Sequence, residues 1–157
     1  MPTKSNVKPV PDGYHALTPY LIVNGANRAM DFYARAFGAK ETFHMPGEGG
    51  KIVHAEMRVG DSVLMLADEN PARGTHAPGP DGAAAASVFL YVPDVDTVFG
   101  KATAAGAKTL AAPADMFWGD RYGKLRDPFG HEWSVATHVE DVTPEEMQKR
   151  MAALAQS

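Results

Sequence analysis

The chain of 157 residues contains no cysteine. Disulfide bonds, thiolate nucleophiles and cysteine-ligated zinc sites are therefore excluded. The chain also has no apolar run near the roughly 18 residues that a membrane-spanning helix needs. Its first residues, MPTKSNVKPVPDG, include no apolar signal core. On these grounds we expect a cytoplasmic protein.

Positive charge is also scarce, because 15 Lys and Arg residues face 19 Asp and Glu residues and leave a net charge of −4. This balance argues against nucleic acid or an anionic membrane as the main partner. The sequence also lacks a glycine-rich phosphate loop, a dinucleotide fingerprint and a G-x-S-x-G nucleophile turn. The remaining composition, 45% hydrophobic and 22% charged, is that of an ordinary globular domain.

Hydrophobic periodicity predicts a strand–helix–strand–strand–strand series that occurs twice. In the first half the predicted elements are 16–23, 28–37, 40–45, 51–59 and 62–68. In the second half they are 87–92, 94–105, 108–111 and a closing hairpin over 119–138. Asn27 and Asp94 are the predicted N-caps of the two helices, and Gly38 is the predicted C-cap of the first.

Matching segments indicate an internal duplication. AFGAK (Ala36–Lys40) recurs as AAGAK (Ala104–Lys108), and HAEMRVGDSVLML (His54–Leu66) aligns with KLRDPFGHEWSVA (Lys124–Ala136). The second alignment makes Lys124 the equivalent of His54. We predict an α+β fold of two βαβββ modules, whose curved mixed sheets surround a concave site.

The predicted organisation comprises an N-terminal arm, a first module, a linker, a second module and a C-terminal helix, at 1–15, about 16–68, 69–86, about 87–138 and 139–157. The two modules together form one domain over 16–138. The linker is rich in Pro, Gly and Ala, which suits a connecting segment. Thr143 and Glu146 form a predicted capping box at the start of the terminal helix.

The closing hairpin turns at DPFG, Asp127–Gly130. The Asp127 carboxylate can accept hydrogen bonds from nearby backbone, Pro128 fixes φ, and Gly130 can take a positive φ. Beyond the turn, strand alternation puts Trp133 on one face and Ser134 on the other.

Two βαβββ modules, a helix containing DFYARAFG and a closing DPFGHEW strand together resemble the vicinal oxygen chelate superfamily. This superfamily includes glyoxalase I, extradiol dioxygenases, and bleomycin- and fosfomycin-resistance proteins. HAEMRVGDSVLMLAD and GDRYGKLRDPFGHEW are most similar to its PhnB-like branch. The resemblance covers residues 16–138 and implies the fold more strongly than the chemistry, because one fold hosts many functions.

The resemblance also implies where a metal would bind. In metal-dependent members, four His, Gln or Glu ligands come from the first and fourth strands of each module. Transferred to this chain, those positions hold Thr18, Leu64, Ser87 and Ser134. None of these side chains is a competent ligand for a borderline divalent metal. We therefore expect neither the usual metal site nor another cofactor.

Aromatic walls with a few cations and a carboxylate suit a planar or anionic small molecule. The predicted ligand-binding residues of this type are Tyr20, His54, Glu56, Phe89, Tyr91, Trp118, Arg121, Lys124 and Arg126. One alternative is that Arg126 or Arg58 forms a salt bridge with Glu56. Another is a rearranged metal site, whose predicted ligands are His54, Glu56, Glu132 and His138, with His44 near in sequence.

The leading functional prediction is a small-molecule-binding protein that takes a polar or anionic aromatic ligand without the usual metal. The alternative is a metal-dependent lyase, isomerase or dioxygenase that uses the rearranged site, and a structural or regulatory dimer is a third possibility. Whether the protein is an enzyme stays open. We expect a homodimer, because the resemblance implies that concave sites are completed by subunit pairing.

Overall fold

The computed structural model describes residues 7–79 and 84–156. The first half contains β1 (Tyr20–Val23), α1 (Ala26–Phe37), β2 (Lys40–Pro46), β3 (Ile52–Val59) and β4 (Ser62–Asp68). The second half contains β5 (Val88–Tyr91), α2 (Val95–Ala104), β6 (Lys108–Asp115), β7 (Asp120–Arg126), β8 (Glu132–His138) and α3 (Pro144–Ala155). Residues 1–6 of the predicted arm and 80–83 of the predicted linker lie outside the described residues.

The two βαβββ modules form two four-stranded sheets of the same topology, with strand orders β1-β4-β3-β2 and β5-β8-β7-β6. The first pair in each order is parallel and the others are antiparallel. The chain divides into a first unit, 1–34 with 38–77, and a second unit, 35–37 with 78–157. This arrangement confirms the predicted α+β fold of two duplicated modules. No helix in the described part of the chain is long and apolar enough to span a membrane.

One face of the first sheet is buried, and its core residues are Leu21, Val23, Ala55, Met57, Leu64 and Leu66. The opposite face carries Tyr20 on β1, Met65 on β4, Glu56 on β3 and Phe43 on β2, which lie in one cross-strand row. Opposite residues in paired strands point to the same side of a sheet. This second face therefore presents a mixture of aromatic and polar side chains.

The start of α1 differs from the prediction. The helix begins at Ala26, so that Asn27 lies inside it and is not its N-cap. The Asp68 carboxylate at the end of β4 instead accepts from the backbone N–H groups of Gly25 and Ala26, at 2.8 and 2.9 Å. A cap supplied from another strand has no local sequence signal. The predicted C-cap, Gly38, is confirmed by its left-handed backbone.

The two helix caps predicted for the second unit are confirmed. Asp94 caps α2 by accepting from the Thr97 N–H, as predicted. The ring of Phe99 on α2 packs so closely over Gly123 on β7 that a Cβ there would lie 2.7 Å from it. Trp133, Leu125 and Val135 line this helix-facing side of the sheet and are buried. The predicted Thr143 cap of α3 is also confirmed, by a bond from the Glu146 N–H.

The register of the two hairpins corrects the internal alignment. Two residues connect β3 to β4, whereas five, 127–131, connect β7 to β8. An alignment without a gap therefore pairs residues that do not occupy equivalent positions in the two sheets. Tyr20 lies opposite Met65, as Phe89 lies opposite Ser134, so the equivalent of Ser134 is Met65 and the prediction of Leu64 was wrong.

The same register corrects the partner assigned to Lys124. Lys124 lies opposite Ser134, and Glu56 lies opposite Met65. Lys124 therefore corresponds to Glu56, and the predicted equivalence with His54 was wrong. Leu64 itself is buried on the other face of its sheet.

Candidate functional site

Four aromatic rings and two cations share the side of the second sheet that faces away from α2. We define this aromatic–cationic face by Phe89, Tyr91, Trp118, Tyr122, Lys124 and Arg126. The ring centroids of Phe89 and Tyr91 lie 4.9 Å apart, and those of Trp118 and Tyr122 lie 5.5 Å apart. Phe89 is 49% exposed and Tyr91 59% exposed. Exposed, mutually packed rings provide a stacking surface for a planar molecule.

Both cations of this face turn to one carboxylate, Glu132. The Lys124 ammonium lies 3.1 Å from it and the Arg126 guanidinium 3.0 Å. Arg126, and then Lys124, hold the pKa of Glu132 below its usual value. Because two cations share one carboxylate, the cluster of Lys124, Arg126 and Glu132 keeps an uncompensated positive charge. The buried Nε of Arg126 also has no hydrogen-bond partner in the described structure.

Arg121 is not brought together with these residues. Strand alternation turns it to the α2 side, where its guanidinium binds Asp96 on α2 at 2.7 Å and Asp115 on β6 at 3.2 Å. Its charge is therefore matched by two carboxylates, and it lies outside the aromatic–cationic face.

Asp120 was not singled out from the sequence, although it organises the aromatic side chains. Asp120 is 1% exposed. One of its carboxylate oxygens accepts hydrogen bonds from both the Tyr91 hydroxyl and the Trp118 indole N–H, each at 2.9 Å. The pKa of Tyr91 is raised chiefly by this hydrogen bond. A carboxylate that holds two donors fixes the orientation of both rings. Alternation along β7 gave the only sequence signal, since Asp120 shares the parity of Tyr122.

The other oxygen of Asp120 faces His138 Nδ1 at 2.9 Å, and His138 Nε2 faces Asp141 at 2.7 Å. Both ring nitrogens point at acceptors, so the imidazolium is the form that satisfies them. The hydrogen bond to Asp141, and then that to Asp120, raise the pKa of His138. Burial opposes the ionisation of Asp120, but the bonds from His138, Tyr91 and Trp118 prevail and lower its pKa.

We expect the stability of the protein to fall as His138 loses its proton. Because its pKa is raised in the folded state, its contribution is fully present below about pH 6.5 and is lost as the pH rises through the folded value. Urea midpoints at about pH 6 and pH 8.5 should therefore differ more in the wild type than in His138→Gln. His76→Gln, at an exposed linker histidine, should keep the wild-type difference. Equal differences in all three proteins would contradict the assignment.

In the first unit, a chain of polar contacts crosses the exposed sheet face. The Tyr14 hydroxyl donates to one oxygen of Glu56, and the other oxygen faces His54 Nε2 at 2.8 Å. His54 Nδ1 lies 3.4 Å from the Tyr20 hydroxyl, and the two rings meet edge to face at 5.4 Å. Tyr14 belongs to the predicted arm, so the sequence gave no reason to join it to β3. The hydrogen bond to Glu56 raises the pKa of Tyr14.

Within each unit the charged groups of the salt-bridge alternative have other partners. Glu56 is bound by Tyr14 and His54, and Arg126 pairs with Glu132. In the described residues Arg58 reaches the backbone carbonyls of Gly13 and Asp61, not Glu56.

These contacts also separate the predicted ligands of a rearranged metal site. Glu132 and His138 stand at opposite ends of β8, roughly 20 Å apart at about 3.3 Å per residue, and each has its own partners. His44 pairs with Glu41 on the edge strand. Within residues 7–79 and 84–156, no three His, Asp or Glu side chains are grouped to hold a metal ion. At the superfamily positions, Thr18, Met65, Ser87 and Ser134 lack the His and carboxylate donors of such a site.

A cavity of about 650 Å³ opens beside Tyr20 in the first unit. Tyr20, Ile22 and Ala67 lie on its β1 and β4 side. The turns at 48–50 and 71–73 contribute Glu48 and Arg73, and Lys51 follows directly after the first of these turns. Its other two acids, Asp68 and Glu69, are engaged by backbone N–H groups.

The chain is similar to a family model, to curated proteins and to solved structures. The sequence-family model of the Glyoxalase/Bleomycin resistance protein/Dioxygenase superfamily matches residues 14–135 of this chain. The uncharacterized protein Mb0911c of Mycobacterium bovis is 40% identical over 141 residues, which cover 88% of this chain and 93% of that protein.

Solved structures agree with this match. TioX from Micromonospora sp. ML1 superimposes with a TM-score of 0.64 at 30% identity, over 80% of this chain and 99% of that one. The PhnB protein of Bacillus cereus gives a TM-score of 0.61 at 21% identity, over 78% and 99% of the two chains. The second likeness bears on the fold alone.

Proposed function

This chain belongs to the glyoxalase/bleomycin resistance protein/dioxygenase superfamily, and from that premise we propose that it binds a planar, anionic aromatic small molecule on the aromatic–cationic face. The observation that carries the proposal is the exposure of Phe89 and Tyr91 beside two cations that share a single carboxylate. Stacking on the rings and a charge-assisted bond to Arg126 would act on the same ligand. No step of this function uses a metal.

Asp120 supports the proposal by preorganisation. It holds the Tyr91 hydroxyl and the Trp118 indole in place before a ligand arrives. Side chains that are already ordered lose less conformational entropy on binding. The rings of Tyr91 and Trp118 therefore form a preorganised surface for a ligand.

The test uses 8-anilinonaphthalene-1-sulfonate, an aromatic anion with a planar naphthalene ring, whose binding is followed by fluorescence and calorimetry. Arg126→Ala should weaken its binding at least about tenfold, because a charge-assisted hydrogen bond contributes roughly 1.5–3 kcal/mol and 1.4 kcal/mol is a factor of ten. N-phenyl-1-naphthylamine lacks the sulfonate, so its affinity should be nearly the same in the wild type and in Arg126→Ala.

Arg121→Ala is the matched control, since Arg121 is an arginine of the same strand that faces α2. It should leave the affinity for the sulfonate unchanged within about twofold. Circular dichroism of each variant checks that the fold is intact, because loosened proteins also take up this dye. Equal affinity of wild type and Arg126→Ala for the sulfonate would refute the proposal.

We also propose a homodimer. Large apolar side chains stand exposed on each sheet, Phe43 and Met45 on the first and Phe89 and Tyr91 on the second, and such surfaces are typical of association sites. Sedimentation at micromolar concentration should give twice the chain mass of 16.8 kDa. A monomer at that concentration would count against this part of the proposal.

A further inference from the structure

Two hydroxyl groups lie side by side on the aromatic–cationic face, and neither ring stacking nor the bond to Arg126 uses them. The Tyr122 hydroxyl on β7 lies 2.9 Å from the Ser134 hydroxyl on β8, and we call these two groups the hydroxyl pair. Ser134 is 7% exposed. Within residues 7–79 and 84–156, neither hydroxyl has another hydrogen-bond partner. Buried polar groups are usually hydrogen-bonded to their full capacity for donation, so this pair calls for an explanation.

The hydroxyl pair has one hydrogen that its two oxygens do not share. Each hydroxyl carries one hydrogen and two lone pairs. The bond between Tyr122 and Ser134 uses one hydrogen, whichever oxygen donates it, so the accepting hydroxyl keeps its own hydrogen for a further acceptor. A buried donor without an acceptor is rarer in proteins than an acceptor with a spare lone pair. The pair is therefore a donor site for an oxygen atom of a ligand.

The strand register places an aromatic group and a positive charge on either side of the hydroxyl pair. Ser134 lies opposite Phe89 on β5 and opposite Lys124 on β7, so these three residues form one row across the sheet face. The ring centroids of Phe89 and Tyr122 lie 5.8 Å apart. A ligand ring that stacks on Phe89 would bring its substituents close to the pair. The Lys124 ammonium favours an oxygen acceptor there over a hydrogen-bond donor.

We infer that the hydroxyl pair recognises a carbonyl oxygen on the ring system of the ligand, so that the ligand class is a fused-ring aromatic ketone with an acid group. This inference rests on the proposed function, because the same ligand stacks on the aromatic–cationic face and reaches Arg126 with its acid group. Arg126 lies opposite Glu132, at the next same-face position along β8 from Ser134. Two residues of a strand span roughly 7 Å, so the carbonyl oxygen and the acid group are separated by about that distance.

Two sulfonates that differ in their ring carbonyls test the inference. Anthracene-2-sulfonate and anthraquinone-2-sulfonate have the same three fused rings and the same charge. Only the second has carbonyls, one of which is attached para to the sulfonate. Titration calorimetry of the wild type should show that the anthraquinone binds about threefold to tenfold more tightly, as expected for one hydrogen bond. Without a donor the order should be reversed, because anthracene is the more hydrophobic ring system.

The double variant Tyr122→Phe with Ser134→Ala removes both hydroxyls and keeps the aromatic ring. Either single variant leaves one hydroxyl that can donate, so the double variant is the decisive one. It should lose the preference for the anthraquinone. The matched control is Thr103→Val, which removes a hydroxyl bonded to the Phe99 carbonyl of α2, on the other side of the sheet, and should keep the wild-type preference. Equal wild-type affinities for the two sulfonates would overturn the inference, and so would a preference that persists in the double variant.

An infrared measurement on the bound anthraquinone does not depend on affinity. A carbonyl that accepts a hydrogen bond has a lower stretching frequency than a free one. The isotope-edited carbonyl band of anthraquinone-2-sulfonate should therefore lie lower in the wild-type complex than in the complex with the double variant. The same band position in both complexes would contradict the inference.

This inference and the proposed function can fail separately. Arg126→Ala should weaken the binding of both sulfonates at least about tenfold and keep the preference for the anthraquinone. If Arg126→Ala weakens both but the wild type binds the two sulfonates equally, only the inference about the hydroxyl pair is wrong. If Arg126→Ala leaves both affinities unchanged, the proposed function is wrong.

Discussion

Replacing Asp127 by alanine should lower the free energy of unfolding by about 3–5 kcal/mol. The carboxylate is buried in the DPFG turn and accepts from the backbone N–H groups of Phe129 and His131 at 2.9 and 3.0 Å. It also accepts from the indole N–H of Trp133, at 2.9 Å. Alanine would leave these donors unsatisfied, and the indole is buried, so water cannot replace the lost partner.

Urea unfolding followed by tryptophan fluorescence measures this effect directly, because both tryptophans, Trp118 and Trp133, lie in the second unit. Asp61→Ala is the control. Asp61 occupies the corresponding hairpin turn of the first module but is exposed, and its loss should change stability by no more than about 0.5 kcal/mol. If the two variants lost the same small amount, the hydrogen bonds of Asp127 would not be what stabilises the turn.

Gly119→Ala should be comparably damaging, at about 3–5 kcal/mol. Gly119 has a φ of +99°, and a Cβ there would overlap the backbone carbonyl oxygen of Glu140 and come within 3.0 Å of Val142. The segment after β8 cannot move away freely, because the N–H groups of Val139 and Glu140 both donate to the Gly119 carbonyl. The strain falls next to Trp118, so dye binding should weaken as well.

The matched control for this variant is Gly100→Ala in the middle of α2. A Cβ at Gly100 meets no atom within 4 Å, and alanine is favoured over glycine in a helix by about 0.8–1 kcal/mol. The same substitution should therefore stabilise the protein at Gly100 and destabilise it at Gly119. Both effects are read from urea midpoints. A Gly119→Ala protein as stable as the wild type would show that the tail does not pack on this glycine.

Family membership and the duplicated βαβββ order were predictable from the sequence, because their causes are local. Alternating apolar residues define strands whatever lies beside them, and the Asp94 and Thr143 caps act on N–H groups three residues away. The DPFG turn is determined in the same way, by the carboxylate of Asp127 and by a glycine at φ 93°.

Partnerships between distant residues were not predictable. The sequence alone identified Arg126, His54 and Glu56 as candidates, but it did not identify Tyr14 as a partner of Glu56. It also grouped Arg121 with side chains on the opposite face of the sheet. Strand register depends on the length of a turn, and the five-residue loop of the second hairpin shifts Lys124 onto the position of Glu56.

The tertiary structure alone brought Tyr14 of the arm to Glu56, Asp68 to the start of α1, and Asp120 to Tyr91. Each of these contacts joins residues far apart in the chain, and a carboxylate side chain carries no local sign of which distant donor it will meet. The sequence by itself therefore determined the fold and the kinds of side chain in the candidate site. The packing of the strands decided which of them act together.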